Sequence, residues 1–452
     1  MRLEQIFSHN PEAVALRDRH KIVCYGDLKQ EVELRANQLR DVDVLGIALD
    51  NGIEWVLWDL AALRANVVTV PLPPFFSPDQ ISHTIKLAGI SHIIDKSGIA
   101  PTGLSASTHI PHGTAKITFT SGTTGRPKGV CLPINAMEDV AHSISRMLGS
   151  DFIHKHLSVL PLSILLENVA GVYTALLSGA SVDLCSLQEF GQSYENLHEI
   201  IKETAAESVV LVPEILRSLM KQVIEKGPLS DLKFVAVGGS KVDPALLANA
   251  HALGLPVYEG YGLSECASVV SLNTPSGTQL GSVGRLLPHV KASIKDGQIV
   301  IHHPGFLGYI GDPAPKQFPT GDLGSIDEDG YVHVTGRSKN VLITSYGRNV
   351  SPEWVEAALL AQPEILQAIV YGDAMPHLGA LIVPSSPLAS IDNAIHRANT
   401  ALPAYAQIKE SRSVPPFTQQ SGFLTGNGRP RRQDIYQHYL TPNENEVRHV
   451  VL

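Results

Sequence analysis

Apolar and polar positions along this chain change period in blocks. Residues 31–41, EVELRANQLRD, space their apolar positions as a helix does, and VLGIALD (44–50) follows as a short apolar strand. A second helical stretch, from about Glu54 to Arg64, leads into VVTVPL (67–72). The rhythm returns in GISHIID (89–95), in HLSVLPL (156–162) before the helical LENVAGVYTALLSG (166–179), and in SVVLVP (208–213) before the helical EILRSLMKQVIEKG (214–227). Apolar strands separated by amphipathic helices are what a parallel sheet covered by helices requires, so the fold class is α/β. LKFVAVGGS (232–240) and VYEGYGLSE (257–265) add two strands ending in glycine turns, and ligands in open α/β sheets gather at such carboxyl ends.

From about Gly281 the pattern shortens. In VKASIKDGQIVIH (290–302) and LGSIDEDGYVHVTGR (323–337), Asp-Gly pairs join alternating runs, the signature of hairpins. A compact α+β tail follows, with NVLITS, ILQAIVYGD and ALIVPS as strands and PEWVEAALLAQ as a helix. The expected organisation is therefore a large domain, 1–336, of mainly parallel, helix-covered sheets plus a β subdomain at about 281–336, then a joint at 337–340 and a small C-terminal domain, 341–452. The stretch 97–115 is the one linker-like segment.

Composition narrows the function classes. At 452 residues, 44% hydrophobic and 17% charged, the chain is a multidomain globular protein rather than a disordered one. A net charge of -9 without a basic stripe argues against a nucleic-acid partner. The N-terminal residues lack the succession of an export signal, and the apolar stretch 56–76 is interrupted by Asp59, Arg64 and Asn66, so a cytoplasmic protein without integral membrane association is expected. The four cysteines stand far apart, and the nineteen histidines show no metal-ligand spacing.

The sharpest chemical signal is ITFTSGTTGRPKGV (117–130). Glycines let backbone N–H groups close on an anion, hydroxyls of Thr120, Ser121, Thr123 and Thr124 add donors, and Lys128 supplies a point charge. Gly122 and Gly125 give the loop its freedom; the spacing is not that of a Walker A loop. In YEGYGLSE the ring of Tyr261 offers a stacking face, Ser264 a donor and Glu265 an oxygen ligand for magnesium, beside Gly262. Asp322, between two glycines in TGDLG, suits a pair of ribose hydroxyls, and Gly238, Gly239 and Ser240 form a strand-end turn. Taken singly these residues have plainer readings: a solvated hairpin loop, a core aromatic, a first-turn charge, a turn-capping Asp and a βα turn.

Together, and in this order, TSGTTGRPKG, YGLSE (261–265), TGD (320–322) and GRSKN (336–340) resemble the signatures of the adenylate-forming superfamily, which includes acyl-CoA synthetases, peptide-synthetase adenylation domains and luciferases. The resemblance covers nearly the whole chain. It implies ATP and Mg²⁺ as cofactors, Glu265 as the metal ligand, Arg337 as a second ribose or phosphate contact, and Lys339 as the hinge of a mobile small domain. It also places Gly347, in SYGRNVSP (345–352), along a pantetheine channel. The implied reaction activates a carboxylic acid and passes it to coenzyme A or to the phosphopantetheine arm of an acyl carrier protein. LPLSILLENV and the tail look most like the medium- to long-chain fatty acyl branch; an aryl acid is the alternative.

Two departures stand out. The family's catalytic lysine near the C-terminus is matched by Arg429 in LTGNGRPRR (424–432), where a planar fork replaces a compact ammonium. A weak or inactive nucleotide-binding relative is the second reading this raises, and a basic surface turn the third. An aliphatic residue, Ile164, also stands where the resemblance leads one to expect histidine or an aromatic.

Overall fold

Continuous apolar runs cannot leave either face in water, and here they become strands buried on both faces. The computed structural model describes residues 2–120, 127–149, 154–191, 194–425 and 429–440, in two compact units, Met1–Val334 and Thr335–Leu452. In the first unit six strands run parallel within a nine-stranded sheet. Their order is Val14–Arg17, Ser181–Leu184, Lys155–Ser158, Ser208–Leu211, Phe234–Val237, Val257–Leu263. Every residue of Ser181–Leu184 and of Ser208–Leu211 is buried.

An eight-stranded sheet is mixed. His92–Asp95, Val44–Ile47, Val68–Pro71 and Lys116–Thr120 are parallel, and antiparallel strands extend both ends. The helices Tyr25–Ala36, Ile53–Ala65 and Ile134–Leu148 join residues of both sheets into one core around Trp55, Leu45 and Val182. The α/β class read from the pattern is the class observed. Among the described residues no helix is long and apolar enough to cross a membrane.

A third sheet follows in the order Lys291–Lys295, Gln298–His302, Gln317–Ile326, Val332–Arg337. Asp296 and Gly297 turn its first hairpin with φ of 50° and 74°, the two positive values a two-residue turn of this kind needs.

In the second unit Ile365–Tyr371 and Leu378–Pro384 are antiparallel, Ile408–Ser413 lies parallel to the latter, and the helices Pro352–Leu360 and Ile391–Thr400 contribute to its main core.

Two local expectations change. Gly98–Pro101, within the stretch read as linker, pairs antiparallel with His92–Asp95. It is an exposed edge strand ending in proline, so it carries no alternating burial for a sequence pattern to reveal. The stretch 166–173 is helical as expected, but its turns are those of a π-helix, Leu166–Tyr173, a form that recurs at functional sites.

Candidate nucleotide site

The loop with the sharpest motif is the connection of a hairpin. Lys116–Thr120 and Lys128–Leu132 are antiparallel, with Thr120 opposite Lys128, so the strands fix both ends of the loop. Ser121, Gly122, Thr123, Thr124 and Gly125 lie outside the described residues. At the closing end, His83 on the helix Pro78–Ala88 brings Nε2 to 3.1 Å from the Pro127 carbonyl, to which its Nε2–H tautomer donates. Sequence reasoning did not single out His83.

The second motif begins where the parallel strand Val257–Leu263 leaves the sheet and turns antiparallel to Ser268–Leu272. The pairing shifts between Tyr261 and Gly262, a bulge of the kind that re-aims a side chain beside a site. Gly262 has no alternative there, since an added Cβ would lie 1.9 Å from the Ser268 carbonyl oxygen. Ser264 and Glu265 then form a single 3₁₀ turn, Ser264–Cys266, closed by Ala267 in the left-handed region at φ 59°.

Asp322 is 4% exposed and sits within the strand Gln317–Ile326, not at a turn cap. The Tyr261 hydroxyl donates to its Oδ2 at 2.6 Å, and its own N–H donates to Thr320 Oγ1 at 3.0 Å. The fold therefore joins two predicted residues, one aromatic and one acidic, from separate sheets.

A third contact brings Lys128 and Glu265 together through a residue the sequence reading missed. The Tyr309 hydroxyl donates to Glu265 Oε1 at 2.7 Å, while Lys128 Nζ lies 5.4 Å from the centre of the Tyr309 ring. Burial, and then the Glu265 carboxylate, push the Tyr309 phenol well above its ordinary pKa, so it stays a donor.

Tyr309 is placed by the two-residue strand Gly308–Tyr309, paired with Lys128–Leu132. Gly308, at φ 129°, admits no side chain, since a Cβ would lie 2.2 Å from the Asp312 carbonyl oxygen. The signal in sequence was slight: a Gly-Tyr pair amid other glycines.

Gly238, Gly239 and Ser240 follow the strand Phe234–Val237, and Gly239 takes φ 87°. Beside them Glu259 is buried; burial raises its carboxyl to about 8, against the lowering effect of the Val242 N–H and Lys241.

The loop after Lys155–Ser158 is held from two sides. Glu167 Oε2 accepts from the N–H groups of Val159 and Leu160 at 3.2 and 2.8 Å, and Oε1 lies 2.9 Å from His156 Nε2. Asn51 accepts from Leu162 N–H at 2.9 Å and donates to the Leu160 carbonyl at 2.8 Å. Ile164 is half-buried just beyond.

In the second unit Arg337 ends the strand Val332–Arg337, and Lys339 lies exposed in the short turn Ser338–Asn340. Gly347 takes φ 70° in the turn between Leu342–Ile343 and Asn349–Val350, with open space where a Cβ would stand. Arg429 is exposed, its N–H donating to Thr425 Oγ1 at 2.9 Å. The basic run is not uniformly a surface turn, because Arg432 is half-buried and paired with Glu356, with Nη1 2.5 Å from Oε1.

Among the described residues no group of three His, Cys, Asp or Glu side chains could hold a metal alone. A single carboxylate oxygen at Glu265 beside a lysine suits magnesium, a hard cation that takes few protein oxygens and shares its ligands with phosphates.

Comparison with known proteins identifies the family. The AMP-binding enzyme profile matches residues 3–310, and that of the AMP-binding enzyme C-terminal domain matches residues 339–443. A long-chain-fatty-acid–CoA ligase, FadD15 of Mycobacterium bovis, is 26% identical over 516 residues, covering 86% of each chain. A 2-succinylbenzoate–CoA ligase of Bacillus velezensis is 31% identical over 301 residues, 61% of this chain and 60% of that one. The crystal structure of the anthranilate CoA ligase AuaEII with anthranoyl-AMP superposes with a TM-score of 0.83 at 17% identity, covering 97% of this chain and 96% of that one. By profile, relatives and fold, the chain belongs to the AMP-binding enzyme family, within the adenylate-forming superfamily.

Proposed function

We propose that the protein is an AMP-forming acid–thiol ligase whose preferred acid is a medium- to long-chain fatty acid. A carboxylate oxygen attacks the α-phosphorus of ATP, the bond to the bridging oxygen breaks, and pyrophosphate leaves. A thiolate then attacks the acyl carbonyl and AMP leaves with the bonding electrons. The thiol belongs to coenzyme A or to the phosphopantetheine arm of a carrier protein.

Little covalent work falls to the side chains; alignment and charge neutralisation supply the rate. Lys128 and the loop 120–125 meet the phosphates, and Asp322 accepts from the ribose hydroxyls. Tyr261 offers its ring to adenine, next to Gly239, Ser240, Gly262 and Ser264. Glu265 would hold magnesium, which supplies charge neutralisation at the departing pyrophosphate when bound. Arg429 stands in for the usual lysine, Arg337 supports the ribose, Lys339 is the pivot between half-reactions, and Gly347 leaves room for the thiol arm.

The observation that carries the reading is the convergence of Lys128 and Glu265 on one tyrosine. The fatty-acid assignment is supported by a long-chain-fatty-acid–CoA ligase relative whose match spans 86% of this chain. An aryl acid is the second reading, favoured by the 31% identity to a 2-succinylbenzoate ligase.

ATP–pyrophosphate exchange against a panel of fatty, aryl and amino acids tests both. We expect exchange that depends on a fatty acid and falls about 10²–10³-fold in Glu265→Ala, the usual cost of a lost transition-state contact. Tight ATP binding with no exchange for any acid would instead make the chain a nucleotide-binding protein without turnover. Mass analysis of products with free coenzyme A and with a holo carrier protein decides the acceptor.

A further inference from the structure

The segment 306–310 is stitched to both halves of the site by backbone bonds. The Phe306 N–H donates to the Glu265 carbonyl at 3.2 Å, and the N–H groups of Leu307 and Ile310 donate to the carbonyls of Cys131 and Gly129 at 2.8 and 3.0 Å. Tyr309 is thus anchored to the turn that carries Glu265 and to the strand that carries Lys128. Its side chain repeats the link, with the hydroxyl on one partner and the ring face under the other. Phe306 packs edge-on against the Tyr309 ring, with centroids 5.4 Å apart, and against Phe318 at the same separation, so the ring has little freedom to turn.

Resting on the assignment of Glu265 to magnesium and Lys128 to phosphate, we infer that Tyr309 is a positioning residue that sets the Glu265 carboxylate for the metal and parks the Lys128 ammonium until a phosphate arrives. By occupying Oε1, the hydroxyl restricts the rotation of the carboxylate and leaves Oε2 as the oxygen for a cation. The ring attracts the ammonium through its negative face, a partner weak enough to yield to a phosphate. The two effects reside in different parts of the side chain. Removing the hydroxyl affects the metal; removing the ring also affects the nucleotide without metal.

The test uses the full chain and binding measurements that need no turnover. Isothermal titration gives the affinity for Mg²⁺ at saturating ATP and the affinity for ATP in EDTA. For Tyr309→Phe we expect Mg²⁺ binding to weaken about tenfold, the scale of one hydrogen bond to a charged group, with ATP affinity in EDTA unchanged. Raising Mg²⁺ should restore acid-dependent exchange in this variant to within about twofold of wild type, a rescue that a general packing defect would not give. For Tyr309→Leu, ATP binding in EDTA should weaken as well, by about threefold to tenfold for a lost cation–π contact. Should Tyr309→Leu fail to fold, Tyr309→Phe still tests the setting of the carboxylate, and unchanged Mg²⁺ binding in it overturns the inference.

Glu265→Ala separates this inference from the reading beneath it. If Glu265→Ala loses Mg²⁺ affinity while Tyr309→Phe binds like wild type, the positioning role is overturned and the metal assignment stands. If Glu265→Ala binds Mg²⁺ normally, the metal assignment itself fails.

Discussion

The two ends of the hairpin Lys116–Thr120/Lys128–Leu132 contrast sharply. At the open end Lys128 is exposed and the Glu265 carboxylate, among the described residues, accepts from the Tyr309 hydroxyl, an arrangement a ligand can exchange. At the root Lys116 is fully buried, with Nζ 2.8 and 2.9 Å from the two Asp59 oxygens, 3.2 Å from the Tyr173 hydroxyl, and bonded to Asn168. Tyr173 and Asn168 each donate to Asp59 in turn, at 2.6 and 3.0 Å. Three rungs of the hairpin therefore separate a lysine whose partners can change from one whose partners are fixed. Charge at the root serves architecture, and charge at the tip is the charge we propose for chemistry.

The contrast breaks first at the root. Lys116→Met leaves Asp59 buried without its cation, and we expect a loss of about 3–5 kcal/mol of stability by urea denaturation. Pairing it with Asp59→Leu should recover most of that loss, because an apolar replacement of a whole buried pair is close to neutral. A single-variant cost below about 1 kcal/mol would show that the root is no more committed than the tip.

The tip side is sharpened by Asp322→Asn, whose amide oxygen still accepts from Tyr261 but carries no charge. ATP affinity by titration should fall about tenfold, while stability stays within about 0.5 kcal/mol. Equal loss in both would make Asp322 a structural residue.

A pH-dependent effect concerns Glu259, between the two regimes in character: buried, yet close to the site. Its folded pKa, about 8, lies above the ordinary carboxylate value of 4.5, so the native state holds a proton that the unfolded chain releases. Stability contributed by that proton is complete below pH 4.5 and declines as pH rises towards 8, by at most about 1.4 kcal/mol per pH unit. Lys241 and Asp243 are the charges that modulate it. Glu259→Gln should flatten the melting temperature over this window relative to wild type; identical pH profiles would place the group's ionisation in the ordinary range.

The legible parts of this molecule are those whose chemistry is written contiguously. A phosphate loop needs its glycines and hydroxyls side by side, and Asp-Gly turns announce themselves, so the hairpin motif, the YGLSE turn, the Asp322 strand and the alternating sheets could be read in order. What escaped depends on distance. Tyr309 joins Glu265, 44 positions away, to the far more distant Lys128, and sits on a two-residue strand too short to have a period. Lys116 and Asp59 read as ordinary polar positions in an apolar run, and only the fold makes them a pair. His156 passed as a plain strand residue, although it is buried against Glu167 and Ser208. The Arg429 region reads as one charge run in sequence, whereas Arg432 is half-buried against Glu356 and Arg429 is exposed.

The widened winding of Leu166–Tyr173 has a consequence for how this sequence tolerates insertions and deletions. Each residue advances an ordinary helix by about 100° and this wider winding by less, so deleting one residue while the wide turns persist would swing every side chain on one side of the cut to a new bearing. Glu167 would then release the Val159 and Leu160 amides, and Asn168 would leave Lys116, even though nothing had changed in composition or hydrophobicity. The segment thus behaves as a combination lock, indifferent to many substitutions and intolerant of a change in count.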